Sequence, residues 1–174
     1  MISTAAISAC GKYRYDLVRE WDSTKPRLVV CMLNPSTADA ERDDPTILAL
    51  IWFSTLWGYG GLQVINLNAW RASKPRDLLI AQRARVDIVG GFNPQFWELA
   101  RKYALEHKVP ILVAWGNNAS LHDTRRFHEF MGPEIPLICL GHTAHGAPIH
   151  PAARGKHRIP RDLQPIPYQP KAAA

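Results

Sequence analysis

Short runs of consecutive apolar residues alternate with helical patterns along the chain. Four of these runs show neither a helical nor an alternating period and end at turn residues; they span residues 28–33, 62–67, 109–115 and 136–140. Continuous apolar runs of this length are typical of parallel strands that are buried on both faces. The sequence therefore predicts a short, mainly parallel four-stranded sheet.

Helical patterns occupy the segments between these strands. Asp44 followed by Pro45 predicts the start of the first helix, because aspartate caps free N–H groups and proline suits the first turn. Further helices are predicted over residues 77–85, 93–107 and 121–131, the second of them with Phe96, Leu99, Ala100 and Tyr103 on one face.

Strands that alternate with helices imply right-handed crossovers and a sheet covered on both faces. Residues 13–21 alternate weakly and predict an amino-terminal edge strand or hairpin arm. We therefore expect an α/β three-layer sandwich. The 174 residues suit one domain, predicted over residues 1–159, followed by a proline-rich tail over residues 160–174.

The charge of the chain favours a polyanionic partner, a nucleic acid or a nucleotide. The formal net charge is +6, and a basic cluster near the carboxyl end contains Arg154, Lys156 and Arg158. These three side chains and Arg71 are candidate phosphate-binding residues, the alternative being a solvated surface. No apolar run approaches the length of a membrane span, so no membrane partner is expected, and the oligomeric state stays open.

The amino terminus and the cysteines favour a cytoplasmic protein. Residues 1–10 lack a basic start followed by a long apolar stretch, so we expect no signal peptide. The three cysteines form no CxxC pair, and Cys31 and Cys139 lie inside predicted core strands. Buried free thiols suit a reducing compartment.

Polar residues follow each of the four predicted strands. Because the carboxyl ends of parallel strands meet at one edge of a sheet, we expect these residues to form a ligand site there. They are Asn34 and Ser36, then Asn68 and Arg71, then Asn117 and Asn118, then His142, His145 and His150.

The motifs of common cofactor and metal sites are missing from the sequence. There is no GxGxxG, GxxxxGK[ST] or GxSxG motif. The spacing of His142, His145 and His150 matches no zinc pattern, and no carboxylate lies among them. We therefore expect neither a metal nor a cofactor. Ser36 follows a strand and a turn, where a capping role is favoured over a nucleophilic one.

Four segments resemble, in the same order, the motifs of the uracil-DNA glycosylase superfamily, especially its mismatch-specific branch. They are RLVVCMLNPSTADAE (27–41), VINLNA (64–69), VPILVAWGNNA (109–119) and GAPIHPAAR (146–154). The chain also resembles a bacterial and phage family known as domain of unknown function 1643. That second resemblance is carried by LNPSTAD, DDPTI, WGYGG and the final His-Pro.

The glycosylase resemblance implies a uracil-DNA-glycosylase-like fold and hydrolysis of the N-glycosidic bond of a damaged, mismatched or modified base. In this interpretation Asn34 positions water and His150 stabilises the departing base or contacts a phosphate. Asn68 reads the edge of the base, and Pro35 and Ser36 complete the base-binding segment of the first motif.

Two departures from the glycosylase motifs keep other functions open. Met32 stands where glycosylases usually have glycine, and Ala152 and Ala153 replace the usual Ser-Pro after His-Pro. A catalytically inactive module of the same fold that binds nucleic acid is therefore one alternative. An enzyme that acts on free, modified nucleotides is the other.

Overall fold

A computed structural model of the protein describes residues 1–155 and 158–170. Seven strands lie in this part of the chain: β1 (Ile2–Ile7), β2 (Arg14–Glu20), β3 (Arg27–Met32), β4 (Gly61–Asn66), β5 (Ile111–Val113), β6 (Leu137–Cys139) and β7 (Ile166–Pro167). Its α-helices are α1 (Pro45–Leu56), α2 (Pro75–Arg83), α3 (Asn93–His107) and α4 (Leu121–Met131), and a 3₁₀ turn, Gly116–Asn118, follows β5.

The strands form one sheet in the order β1-β2-β4-β3-β5-β6-β7. The four central strands are parallel, with Val30 of β3 opposite Val64 of β4 on one side and Leu112 of β5 on the other. These are the four strands that the apolar runs predict, so that part of the topology is confirmed. Their carboxyl ends meet at one edge of the sheet.

The sheet is larger than the predicted four strands, because antiparallel strands extend it on both sides. β2 lies between β4 and β1, so it is the inner arm of a hairpin and β1 is the edge strand. β7 pairs with β6 at the other edge. These additions lack a continuous apolar run: β1 is largely exposed or half-buried, and β7 has two exposed residues, one a proline.

Helices cover both faces of the sheet and give two apolar cores, as expected for a three-layer arrangement. On one face α1 packs Ile47, Leu50 and Phe53 against the central strands. On the other face α2, α3 and α4 contribute a larger core that includes Trp97 and Phe127. The parallel strand ends are therefore flanked by helices on both sides.

The predicted cap of α1 is present and fixes the polar loop that precedes the helix. The Asp44 carboxylate oxygen Oδ1 accepts hydrogen bonds from the main-chain N–H groups of Thr46, at 2.9 Å, and Ile47, at 3.0 Å. Pro45 occupies the first helical turn. The cap brings the carboxylate of Asp44 to the sheet edge where the strands end.

The chain after residue 159 contacts the body of the protein. The indole N–H groups of Trp52 and Trp57 in α1 donate to the carbonyl oxygens of Arg161, at 3.0 Å, and Leu163, at 2.9 Å. Cys31 and Cys139 are buried free thiols, as predicted. None of the described helices combines the length and the apolar character that crossing a membrane requires.

Candidate functional site

A cavity of about 450 Å³ opens at the carboxyl ends of β3, β4 and β5. This is where an open parallel sheet usually binds its ligand. Its polar lining residues are Arg14, Asn34, Ser36, Asp44, Thr46, Asn66, Ser73, Asn117, Asn118, Thr143 and His150. Donors, acceptors and both signs of charge are therefore available around one small volume.

Asn34 lies just after β3 and is held in one orientation. Its side-chain Nδ2 donates to the carbonyl oxygens of Pro35, at 3.0 Å, and Ala72, at 2.8 Å. Its Oδ1 has no hydrogen-bond partner among the described residues. Because both amide protons are used, Asn34 offers the cavity an oriented acceptor and no donor.

His150 lines the same cavity and offers the opposite group. Its Nδ1 accepts a hydrogen bond from the main-chain N–H of Ala152 at 3.1 Å. The proton of the neutral ring is therefore on Nε2, which is left to donate. Burial lowers the pKa of His150, and the charge of Asp44 opposes this shift. The neutral imidazole is accordingly the dominant form at neutral pH.

Asn66 is one of the cavity-lining residues that the sequence did not predict. It is the last residue of β4, its side chain is fully buried, and it lines the cavity. Neither Nδ2 nor Oδ1 has a partner among the described residues. A fully buried amide without partners is costly unless a ligand or water satisfies it. The sequence signal was an amide side chain near the end of the apolar run of residues 62–67, which also contains Gln63.

Asn68, which was predicted to line the cavity, is buried but is not among its lining residues. β4 ends at Asn66, one residue before the predicted end, and the chain then runs on past the cavity. The main-chain N–H of Asn68 donates to Leu33 at 3.0 Å. The structure therefore brings Asn34 and His150 together and places Asn66 where Asn68 was expected.

The other predicted residues near Asn34 have different environments. Ser36 lines the cavity, whereas Pro35 contributes its carbonyl oxygen to Asn34. The Arg71 guanidinium donates to the carbonyl oxygens of Ser36, Gly11 and Thr37, at 3.2–3.4 Å. Arg71 thus holds the loop after β3, which occupies donors that a phosphate would otherwise use.

The described residues of the predicted basic cluster lie outside the cavity. Arg154 and Arg158 are exposed, and Lys156 lies outside the described residues. Arg158 lines a separate groove along α1, together with Trp52. The exposed positions suit contacts with a polyanion and equally suit solvation.

Two charged groups of opposite sign also line the cavity. The Arg14 guanidinium is 2% exposed, donates through Nη1 to the carbonyl oxygen of Ala38 at 2.7 Å, and has an unpartnered Nε. Burial lowers the pKa of Arg14 to about 10, so it stays charged at neutral pH. Asp44 is 9% exposed. None of the ion pairs among the described residues includes Arg14.

The three carboxyl-terminal histidines are dispersed. His142 stacks on Tyr168, His145 lines a different pocket beside α4, and His150 lines the cavity. Within residues 1–155 and 158–170, no cluster of three or more His, Cys, Asp or Glu side chains is placed to hold a metal ion.

Residues 14–152 match the family described as protein of unknown function (DUF1643). The chain belongs to this family. The match runs from Arg14 to Ala152, so it includes every cavity-lining residue except Ala153. It confirms the DUF1643 resemblance drawn from the sequence. No curated protein and no solved structure matches the chain.

Proposed function

We propose that this DUF1643 protein hydrolyses the N-glycosidic bond of a damaged, mismatched or modified base in DNA. The observation that carries the proposal is that Asn34 and His150 line the same cavity and offer it opposite hydrogen-bonding groups. One residue offers an oriented acceptor and the other a neutral ring with a free N–H donor. Glycosidic hydrolysis needs one group for the attacking water and another for the departing base.

The Asn34 oxygen would accept a hydrogen bond from water and hold it beside the sugar carbon. An amide is not a general base, so its contribution is positioning, together with stabilisation of the positive charge that develops on the sugar. The His150 N–H would donate to the departing base, which gains negative charge as the bond breaks. Each residue then acts on a different side of the same bond.

Asn66 would read the edge of the base. Its free Nδ2 and Oδ1 provide a donor and an acceptor side by side, which suits the adjacent carbonyl and N–H groups of a nucleobase. A base in duplex DNA must first leave the stack, at a cost of about a few kcal/mol. Pairing with this buried amide would offset part of that cost.

The sequence resemblance supports the same reaction. The first of the four glycosylase-like motifs contains Asn34, the second contains Asn66 as well as Asn68, and the last contains His150. The motifs therefore meet at the cavity although they are separated along the chain.

The test is incubation of the protein with oligonucleotides that carry uracil, mismatches or hypermodified bases, followed by alkaline cleavage at abasic sites. We expect strand cleavage with at least one substrate. Asn34→Ala should lose this activity, whereas the exposed helix variant Gln95→Ala should keep it. Binding of these substrates without release of any base would contradict the proposed hydrolysis.

Met32 favours a second candidate function, a binding module without catalysis. Its side chain lines the cavity at the position where glycosylases usually have glycine. A thioether there occupies space next to Asn34 that a base or sugar would use. For this module we expect base-dependent binding that the Asn66→Leu variant loses, with no release of base.

A further inference from the structure

Arg14 carries a buried positive charge that no carboxylate of the described residues contacts, and the charges of Asp44 and Asp16 favour it only from beyond ion-pair distance. Its side chain is nine-tenths or more buried, it lines the cavity, and one hydrogen bond to a carbonyl oxygen accounts for one of its donors. The Nε–H is buried with no partner among the described residues. Removing a guanidinium from water is expensive unless an anion or several acceptors replace the solvent.

Arg19, on the same strand, shows how this protein satisfies a structural arginine. Its guanidinium contacts the carboxylate of Asp43 at 2.8 Å and also donates to main-chain carbonyl oxygens. In the part of the chain that the structure describes, no carboxylate makes an equivalent contact with Arg14. The difference leaves the guanidinium of Arg14 available to an anion other than the carboxylates of the described residues.

Asp44 is the acidic group that shares the cavity with Arg14, and it does not neutralise Arg14 by contact. It forms no ion pair with Arg14, and its Oδ1 is used by two main-chain N–H groups at the start of α1. The positive end of the helix dipole already stabilises this carboxylate. Donors of Arg14 therefore remain for a ligand.

We propose that Arg14 binds an oxyanionic group, a phosphate or a carboxylate, of the ligand that enters the cavity. The planar guanidinium matches both oxyanions and binds them through paired hydrogen bonds. This inference rests on one part of the proposed function, a nucleobase in the cavity beside Asn66, and it does not require that DNA carries the base.

The depth of Arg14 restricts where the oxyanion comes from. Because Arg14 is only 2% exposed, an oxyanion that reaches its guanidinium must be a terminal group of the ligand. Examples are the monoester phosphate of a free nucleotide and a carboxylate carried by the base. A phosphodiester continues into sugars on both sides and suits the exposed basic cluster better. A cavity of about 450 Å³ is within the size range of small-molecule sites.

Equilibrium binding with two matched pairs of ligands tests the proposal without any need for catalysis. One pair is uracil and orotate, which differ by a carboxylate. The other is deoxyuridine and its 5′-monophosphate. Isothermal titration at constant pH and ionic strength should show that the anionic member of at least one pair binds about tenfold tighter or more.

The variants decide whether Arg14 causes this preference. Arg14→Met should bring the two members of the pair to equal affinity, and Arg14→Lys should keep part of the preference. The control is Arg42→Met, which removes the same charge from an exposed position in the neighbouring loop. Circular dichroism checks that each variant is folded. If Arg14→Met fails to fold, the preference for the anionic ligand is compared between the wild type and Arg14→Lys instead.

The outcomes separate the sources of the oxyanion. A preference for orotate alone assigns a carboxylated base, and a preference for the monophosphate alone assigns a free nucleotide. Equal affinities within both pairs, or a preference that survives in Arg14→Met, would overturn the proposal. Neither result depends on base release, so a failed glycosylase assay and a failed anion assay are distinguishable.

Discussion

Arg14 and Arg19 lie at opposite ends of one strand and are almost equally buried, but only Arg19 contacts a carboxylate. Arg19 donates through Nε to Asp43 at 2.9 Å, whereas Arg14 donates to the carbonyl oxygen of Ala38 and lines the cavity. Both arginines hold the loop between β3 and α1. Arg19 satisfies its charge within the fold, and Arg14 keeps most of its donors for another molecule.

This contrast predicts different costs for two similar substitutions. Arg19→Met should lower the free energy of unfolding by about 3 kcal/mol, because it leaves the carboxylate of Asp43 without its partner. Arg14→Met should change the free energy of unfolding by less than about 1 kcal/mol, since the lost hydrogen bond is offset by removal of an unpaired buried charge. Urea unfolding at neutral pH measures both. Equal destabilisation by the two substitutions would show that Arg14 is also a structural arginine.

Asn34→Ala should separate catalysis from binding. Loss of the oxygen that positions water should slow single-turnover base release by about a hundredfold or more. Binding of DNA should change little, because affinity comes mainly from phosphate contacts made elsewhere. The measurement is single-turnover release together with a binding titration, with Gln95→Ala as the control. Undiminished release by Asn34→Ala would remove the proposed mechanism.

Two buried asparagines next to each other should respond in opposite ways. Asn66→Leu replaces an unpartnered amide with an apolar side chain of similar size, so the free energy of unfolding should be unchanged or higher. Binding of the base should be lost. Asn93 instead donates to the carbonyl oxygens of Asn66, at 3.1 Å, and Leu67, at 3.2 Å. Asn93→Ala should therefore cost about 1–3 kcal/mol. Thermal unfolding and ligand titration of both variants check this; a large loss of stability in Asn66→Leu would contradict it.

The central strands were predictable because burial on both faces demands an unbroken apolar run. The same rule could not reveal β1 or β7, whose residues are exposed or half-buried and depend on pairing with distant strands. Such pairing is a tertiary effect that local pattern does not encode.

The third helix shows the same limit at the level of side chains. Its bounds, Asn93–His107, match the prediction, but its buried face holds Asn93, Trp97, Ala100 and Ala104, and Leu99 is exposed. Asn93 and Trp97 turn inward because both donate to the carbonyl oxygen of Asn66. Apolar periodicity ignores such hydrogen bonds. Asn68 is predicted in place of Asn66 because the apolar run continues to Leu67, one residue past the end of β4.

The lowered pKa of His150 predicts a loss of stability in mild acid. Burial favours the neutral ring in the folded state, so the unfolded chain, with a pKa near 6.5, takes up a proton first as the pH falls. The free energy of unfolding should then decrease below about pH 6.5, by at most about 1.4 kcal/mol per pH unit for one proton.

His150→Gln isolates this contribution from those of other groups. His128 is half-buried, also has a lowered pKa and gives a contribution of the same sign, so the wild-type slope contains both. Urea unfolding between pH 5 and 7.5 should show a shallower decrease in His150→Gln than in the wild type. Identical slopes would indicate that His150 titrates alike in both states.

The basic cluster near the carboxyl end should set the salt dependence of DNA binding. Arg154 and Arg158 are exposed, so phosphates can reach them, and Lys156 lies between them in sequence. Each phosphate contact on duplex DNA contributes about 0.9 to the slope of log K against log salt, so replacing all three with Ala should flatten it by up to about 2.7. Affinity should fall for every DNA sequence, while base release from bound substrate changes little. A matched triple replacement of Arg76, Arg83 and Lys102, which are exposed on α2 and α3 over the other face of the sheet, removes the same charge. If the two triple variants have equal slopes, the cluster acts through net charge alone and not as a phosphate-binding surface.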